Sequence, residues 1–202
     1  MASLAIPAEN SQRVGLPAIV VLRDGSSILI RAAILTDGER LQRMFYRLSP
    51  TTIYRWCFLP VPSLPRWAQT LANIANVDYQ NQYAMVASYA GEIIGIARYD
   101  RNPASQEAEF GIVIEDVWQR RGLGKLLFGR LIAEARRHQV VTFTAMILGE
   151  NRPALRLVSS LFDKLTIHWH SGECQVSASM DTFKPDAHTA CAISWDYLRS
   201  FG

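Results

Sequence analysis

The sequence predicts a mixed α/β fold with one central, mostly antiparallel sheet and helices on both of its faces. Segments rich in β-branched and aromatic residues come in pairs around Asp24-Gly25, Ala90-Gly91 and Ser171-Gly172, which is typical of β-hairpins. Two segments with helical spacing of apolar residues separate the first pair from the second. The order of elements is therefore ββ-αα-ββ-β-α-β-α-ββ, which is expected to place helices on both faces of one sheet.

Each element follows from a local pattern. Thr36-Asp-Gly-Glu39 fits a capping box, because the Thr36 hydroxyl can accept from the amide three residues on while Glu39 reaches back. The helix that starts there is predicted to end at Ser49-Pro50, and Asn151 is predicted to cap a later helix. The predicted elements are strands at 19–22 and 28–33, helices at 36–48 and around 67–75 beyond a loop at 59–65, strands at 83–89, 92–99 and 108–117, a helix at 122–138, a strand at 140–147, a helix at 151–165 and a hairpin of 167–170 with 174–180.

The composition is typical of a globular domain and excludes several other classes. Of the 202 residues, 49% are hydrophobic and 19% charged, which suffices for a sizeable core. The net charge of +3 permits an anionic ligand, but the Lys and Arg residues are spread along the chain, so no nucleic-acid partner is predicted. No run of about 18 apolar residues occurs, so no membrane partner is predicted.

The domain organisation is predicted as an N-terminal arm and first strand at 1–27, a main domain at 28–181 and a tail at 182–202 with a short helix. The three cysteines, Cys57, Cys174 and Cys191, lie far apart, which favours reduced thiols in a cytoplasmic protein over a disulfide framework. The N-terminus lacks the pattern of a signal peptide. Whether the tail packs on the domain or forms the contact of a homodimer stays open.

The segment from Glu107 to Lys125 is the most informative, because a strand there leads into a glycine-containing turn and a helix. A helix N-terminus has unpaired N–H groups and a partial positive charge, so it attracts phosphate. Gly122 and Gly124 lack a Cβ and would let a diphosphate approach the backbone. The spacing is neither that of a P-loop nor that of a dinucleotide fingerprint. Three cations lie at this turn: Arg120, Arg121 and Lys125.

Two of these patterns resemble a known family. Gln119-Arg-Arg-Gly-Leu-Gly124 resembles the Gln/Arg-x-x-Gly-x-Gly/Ala motif of the GNAT N-acetyltransferases, and Asn151-Arg-Pro-Ala154 with Leu157 resembles the family's Asn-x-x-Ala-x-x-Leu element. The resemblance implies a GNAT fold over residues 28–181, with acetyl-CoA between two strands that splay apart. It implies that a strand backbone holds the pantetheine arm, that amides of the turn hold the pyrophosphate, and that Asn151 contacts CoA, although a plain N-cap is the alternative for Asn151. The implied cofactor-binding residues are Ile112, Val113, Ile114, Gln119, Arg120, Arg121, Gly122, Leu123, Gly124, Lys125 and Asn151.

The acceptor follows from a further similarity within the family. The segments 47–58, 95–99, 108–110 and 150–153 are similar to the GNAT domain of bacterial protein-lysine acetyltransferases that modify acyl-CoA synthetases. The predicted acceptor is therefore a primary amine, first a protein lysine and second a small-molecule amine. The position after Leu157 is often a Tyr that protonates the leaving thiolate, and here it is Val158. This departure keeps open a binding module that senses acyl-CoA without turnover.

The reaction needs a base, because an alkylammonium with a pKa near 10.4 must lose a proton before it attacks a thioester. A carboxylate in a partly dry cleft can accept that proton, directly or through water. Glu107 and Glu109 lie two positions apart, so a strand places them on one face. In the lysine acetyltransferases the catalytic Glu precedes the motif's Gln by ten positions, which implies Glu109 as the base and Glu107 as a helper. The alternative is that both are solvated strand carboxylates.

A metal site is not predicted. His168 and His170 alternate along a strand, but no acidic or Cys partner lies at ligand spacing, which favours histidines of an edge strand.

Overall fold

The computed structural model describes residues 17–58 and 74–184, and it contains an eight-stranded sheet in the order β1-β2-β3-β4-β5-β6-β8-β7. Neighbouring strands are antiparallel except β5 and β6, which are parallel. The predicted mixed, mostly antiparallel sheet is therefore confirmed. The strands are β1 Ala18–Val21, β2 Ser27–Ala32, β3 Gln82–Tyr89, β4 Glu92–Arg101, β5 Glu107–Ile114, β6 Thr142–Leu148, β7 Thr166–His170 and β8 Glu173–Ser179.

Helices cover both faces of the sheet, as predicted. In the described residues these are α1 Gly38–Tyr46, α2 Pro50–Cys57, α3 Leu123–Arg137 and α4 Arg152–Leu161. Side chains of β5 alternate between two cores: Val113 packs with α1 and α2, whereas Phe110 and Ile114 pack with α3. We call these two sides of the sheet the α2 face and the α3 face.

Aromatic packing fixes α3 against the α3 face. The ring of Phe128, on α3, lies 4.5 Å from Phe110 on β5 and 5.9 Å from Phe143 on β6, measured between centroids. Phe128 and Phe143 are fully buried. Large buried aromatic pairs contribute packing energy beyond the area they bury. Helix α3, which follows the glycine-containing turn, is thus packed across β5 and β6.

The start of α1 differs from the prediction. The capping box with Thr36 does not form; Asp37 occupies the N-cap position after a 3-10 turn at Leu35–Asp37. The buried Asp37 carboxylate accepts from the Ile34 N–H at 3.0 Å and from the Arg31 guanidinium at 2.6 Å. The Asp37 side chain caps no amide of α1; a charge-assisted contact from β2 holds it instead, and sequence spacing alone does not show that contact.

The helix α2 was missed by the sequence prediction. Ser49-Pro50 was expected to end a helix, but α1 ends at Tyr46, and Ser49 caps α2 with Pro50 at its first position. The Ser49 hydroxyl accepts from the Thr52 N–H at 3.2 Å. Pro is favourable at the first helical position, where its missing N–H has no partner to lose. A Ser-Pro pair can end one helix or begin the next, and the prediction that it ends a helix was wrong.

Two smaller boundaries also shift. The strand expected to reach Val117 ends at Ile114 and passes into a 3-10 turn at Asp116–Trp118. The helix expected to reach residue 165 ends at Leu161, because Phe162 turns extended and forms a bridge with Phe183. The loop at 59–65, most of the helix around 67–75, Cys191 and the tail helix lie outside the described residues.

Candidate active site

β5 and β6 form a short ladder and then separate. Their parallel pairing covers only three rungs, Glu107↔Thr142, Ala108↔Phe143 and Glu109↔Thr144. β5 continues to Ile114 beside β4, and β6 continues to Leu148 beside β8. A gap therefore opens in the sheet immediately beyond Glu109, and the edge of β5 that faces it has no strand partner in the described chain.

A cleft of about 650 Å³ occupies this gap and is lined by residues from both faces of the sheet. On the α2 face it is bordered by residues of β4, β5 and α2, and on the α3 face by residues of β6 and the first turns of α4. The residues that line the cleft include Arg55, Trp56, Arg98, Asp100, Arg101, Glu107, Glu109, Ile112, Asn151 and Val158.

The two candidate base residues lie side by side in this cleft. Glu107 and Glu109 are both exposed on the α2 face, and Glu109 lies between Asp100 of β4 and Thr144 of β6 in the sheet. Within the described residues, neither carboxylate takes part in a side-chain hydrogen bond or an ion pair. Both carboxylates are therefore available to a bound ligand. Glu109 lies in the last pair of the β5–β6 ladder, immediately before the gap.

The turn after β5 has the backbone of an anion site. Arg120 and Gly122 adopt positive φ angles of 62° and 91°, and α3 begins at Leu123. The amides of Lys125 and Leu126 donate to the Gly122 carbonyl. Among the described residues, no backbone carbonyl accepts from the amides of 120–124. Alternating backbone conformations of this kind turn successive N–H groups toward one concave side, where a phosphate fits.

Gly122 is the position in this turn where only glycine is unstrained. Its φ of 91° lies in the left-handed region, and no atom lies within 4 Å of the place where a Cβ would stand. At Gly124 a Cβ would make an ordinary contact of 3.6 Å with Leu157. The two motif glycines therefore have different roles: the first permits the turn, and the second lies close to α4.

Two side chains of the motif are engaged within the protein. The Gln119 amide donates to the Ile114 carbonyl at 2.9 Å and to the Thr52 hydroxyl at 3.3 Å. The Arg121 guanidinium pairs with Asp24 at 2.6 Å and lies 4.9 Å above the Trp118 ring. The side chains of Gln119 and Arg121 are thus held by the protein itself, whereas that of Arg120 in the same motif is exposed.

Asp116 joins the turn to α2, and the sequence analysis did not single it out. Its carboxylate accepts from the Ser49 N–H at 2.8 Å, the Ser49 hydroxyl at 2.7 Å and the Thr52 hydroxyl at 2.7 Å. Burial opposes ionisation, but the hydrogen bonds from Ser49 and Thr52 outweigh it and hold the pKa of Asp116 below its ordinary value. The only signal in the sequence is the Ser-Pro-Thr-Thr cap itself.

Helix α2 forms one wall of the cleft. Trp56 packs against the backbone of β5, since a Cβ at Gly111 would lie 3.5 Å from the Trp56 indole nitrogen. Its ring centroid is 5.0 Å from that of Phe45 on α1. Arg55 and Phe58 line the cleft beside it. The Asp116 contacts therefore link the turn after β5 to this wall of the cleft.

The remaining predicted residues occupy different places. Ile112 lines the cleft, whereas the side chains of Val113 and Ile114 pack into the cores of the two faces. Asn151 lines the cleft and also accepts from the Ala154 N–H at 3.2 Å, so it does cap α4. Val158 is buried beside it and carries no hydroxyl.

His168 and His170 lie exposed on the edge strand β7. Within residues 17–58 and 74–184, no group of three His, Cys, Asp or Glu side chains is placed to hold a metal ion. None of the described helices is long and apolar enough to cross a bilayer.

A pair of parallel strands that parts beyond a short ladder, with a glycine-containing turn and a helix start beside the gap, is the architecture of the acyl-CoA N-acyltransferase fold. Residues 43–161 match the family model described as the acetyltransferase (GNAT) family. That match covers more than half of the chain, so the chain belongs to this family. The predicted family and fold are confirmed.

The relatives agree with this assignment. The chain is 29% identical over 148 residues to acetyltransferase Pat of Mycolicibacterium smegmatis, covering 72% of this chain and 44% of Pat. It thus spans less than half the length of that relative.

Solved structures confirm the fold. The GNAT domain of S. lividans PAT superposes with a TM-score of 0.71 at 24% identity, covering 87% of this chain and 99% of that one. The PaiA N-acetyltransferase of Thermoplasma acidophilum, solved in complex with coenzyme A, gives a TM-score of 0.61 at 12% identity and covers 76% of this chain and 99% of that one.

Proposed function

We propose that this chain transfers an acetyl group from acetyl-CoA to the ε-amino group of a lysine in a protein, with Glu109 as the general base. The observation that carries the proposal is the last rung of the β5–β6 ladder, Glu109↔Thr144. Because the strands part immediately beyond it, the Glu109 carboxylate lies at the edge of the gap, exposed and without an ion-pair partner among the described residues.

The groups around the gap fit acetyl-CoA. The amides of 120–124 and the positive charges of Arg120 and Lys125 would hold the pyrophosphate. The unpaired edge of β5 at 112–114 offers backbone hydrogen bonds to a pantetheine arm, and an N–H there would stabilise the developing oxyanion. Asn151, although it caps α4, still has its side-chain N–H groups to offer in the cleft. When bound, acetyl-CoA supplies the reactive thioester.

Glu109 would act on the acceptor. It accepts a proton from the lysine ammonium, directly or through water, and the free amine then forms the new C–N bond as the C–S bond breaks. Glu107, two positions away on the same face, would stabilise the incoming ammonium before it is deprotonated. Val158 cannot donate a proton, so the sulfur would leave as a thiolate and take, through water, the second proton that the nitrogen loses as the amide forms.

The choice of a protein lysine rests on similarity. The segments at 47–58 and 150–153 resemble the lysine acetyltransferases. Two similar proteins also support the choice: one is the acetyltransferase Pat, and the other is the GNAT domain of PAT. One observation supports a second candidate, an acyl-CoA-sensing module without turnover. It is the buried Val158 at the position where a Tyr often serves as general acid.

Mass spectrometry separates these candidates. The chain is incubated with acetyl-CoA and a panel of lysine-bearing proteins, peptides and small amines, in parallel with a Glu109→Gln variant. The proposal predicts one added acetyl group on specific lysines, and far less with the variant. Binding of acetyl-CoA without modification of any amine would favour the sensing module, and modification of small amines alone would reject a protein acceptor.

A further inference from the structure

Three arginines line the cleft, and two of them already have partners. Arg98 donates to the Asp100 carboxylate at 3.2 Å. Arg101 donates to the Ser105 carbonyl at 3.3 Å and to the His138 carbonyl at 2.8 Å. These contacts fix both side chains along β4 and against the end of α3, so their charges are largely satisfied within the protein.

Arg55 differs from both. It lines the cleft from α2, and within the described residues none of its nitrogens has a hydrogen-bond acceptor or an ion-pair partner. Its Nε atom is shielded from solvent and still unpaired. A buried N–H of a charged group without an acceptor is unfavourable, because it has lost its water and gained nothing in return. A bound ligand that supplies an anionic oxygen would remove this penalty.

The unpaired charges of the cleft therefore have opposite signs and come from two different elements. Arg55 projects from α2, and Glu107 and Glu109 project from β5, with no ion pair joining the two elements in the described chain. A ligand that carries both an ammonium and a carboxylate matches this arrangement. An acceptor amine alone would leave Arg55 unpaired.

We propose that Arg55 binds a carboxylate close to the acceptor lysine, so that the chain prefers lysines with an acidic neighbour in the protein substrate. The inference rests on the proposed function and deepens it by one specificity-determining residue. A guanidinium suits this task, because its planar fork accommodates both oxygens of a carboxylate. A free amino acid presents the same chemistry through its α-carboxylate and serves as a separate arm of the test.

The test uses lysine peptides that differ at one position. Glu is placed at each of the two positions before and after the lysine in turn, and each peptide is compared with the same peptide carrying Gln. We expect at least one Glu peptide to have a kcat/KM about 10 to 100 times that of its Gln partner, the range given by a charge-assisted hydrogen bond. Free lysine should be a poorer acceptor than the best Glu peptide.

Variants assign the preference to Arg55. Arg55→Gln should reduce the preference to within about twofold, and Arg55→Lys should leave an intermediate value because charge remains while the fork is lost. Arg98→Gln is the matched control, since Arg98 lies in the same cleft but is already paired, and it should retain the preference. A ratio near one in the wild type at every position, or its loss in Arg98→Gln alone, would overturn the inference.

A second readout needs no turnover. Each peptide is linked through its lysine to CoA, and the Kd of the conjugate is measured by calorimetry alongside that of CoA. Tighter binding of Glu conjugates without any acetylation would uphold the role of Arg55 while rejecting the proposed function. Acetylation of all peptides at equal rates would do the reverse. Equal weakening of CoA and every conjugate by Arg55→Gln would place Arg55 on the cofactor and overturn the inference.

Discussion

The carboxylate of Asp116 accepts a hydrogen bond of 2.7 Å from the Ser49 hydroxyl, which joins the turn after β5 to the first turn of α2. The Thr52 hydroxyl donates to the same carboxylate oxygen at 2.7 Å, and it also accepts from the Gln119 amide. One carboxylate thus connects the turn proposed to bind pyrophosphate with α2, which forms one wall of the cleft.

Removing this carboxylate is expected to destabilise the chain. Asp116→Ala leaves the Ser49 N–H and two hydroxyls without their acceptor, so the free energy of unfolding should fall by about 1–3 kcal/mol in urea denaturation. Asp163→Ala is the control, because Asp163 forms a surface pair with Lys184 and is 65% exposed at its side chain. Such pairs contribute about 0–1 kcal/mol. Equal effects of the two variants would contradict this role of Asp116.

The effect of Asp116 depends on pH in a defined direction. Its pKa is lowered from the ordinary value of 3.8, so its contribution is present above that value and disappears as the pH falls through the lower pKa of the folded state. The stability difference between wild type and Asp116→Ala should therefore be constant from about pH 5 to 8 and shrink below about pH 4. A difference that grows on acidification would show that the sign is wrong.

Gly122 is expected to control cofactor binding through the backbone. Its φ of 91° is strained for any other residue, so Gly122→Ala should distort the row of amides and weaken acetyl-CoA binding by about tenfold or more in calorimetry. Gly91→Ala is a matched control, since Gly91 has a φ of 83° and equally open space but lies in the β3–β4 hairpin. It should lower stability and leave the affinity unchanged. Equal affinities of both variants for acetyl-CoA would argue against the turn as the anion site.

Glu134 should make the fold more stable when it is neutral. Burial raises its pKa, and Arg137 and Arg130 offset this only in part. A raised pKa in the folded state contributes stability below the ordinary value, and the contribution is lost as the pH rises through the raised pKa. Glu134→Gln should therefore raise the Tm at pH 7 by about 2–4 °C, and the gain should vanish near pH 4. A lower Tm of the variant at pH 7 would mean that the ion pair with Arg137 dominates.

Local patterns predicted the parts of the fold that depend on neighbouring residues. The hairpins at Asp24-Gly25 and Ala90-Gly91 form as expected, because turn chemistry and strand alternation act over a few residues. The left-handed backbone at Gly122 agrees with a glycine-dependent turn. The order of the strands within the sheet was not predicted, because it depends on contacts between distant segments.

Contacts between distant segments could not be predicted in this way. Ser49 and Asp116 are 67 positions apart, and the local sequence around either residue does not indicate a contact with the other. Without that contact, Ser49-Pro50 is equally suited to end one helix or to begin the next. The amide of the motif residue Gln119 donates to the nearby Ile114 carbonyl and also to the Thr52 hydroxyl, which the packing of α2 brings close. The predicted contact of Gln119 with the cofactor stays a prediction.

The most direct test of the central claim is the kcat/KM of Glu109→Gln beside that of Glu107→Gln, with the Kd for acetyl-CoA measured on both. Gln keeps the size of Glu but cannot accept the proton, so kcat/KM of Glu109→Gln should fall by about 10²–10⁴-fold with the Kd unchanged. The deficit should shrink as the pH rises, because free amine then forms without a base. Glu107→Gln should lose far less. A crippled Glu107→Gln beside an active Glu109→Gln would contradict the account, as would full activity of both.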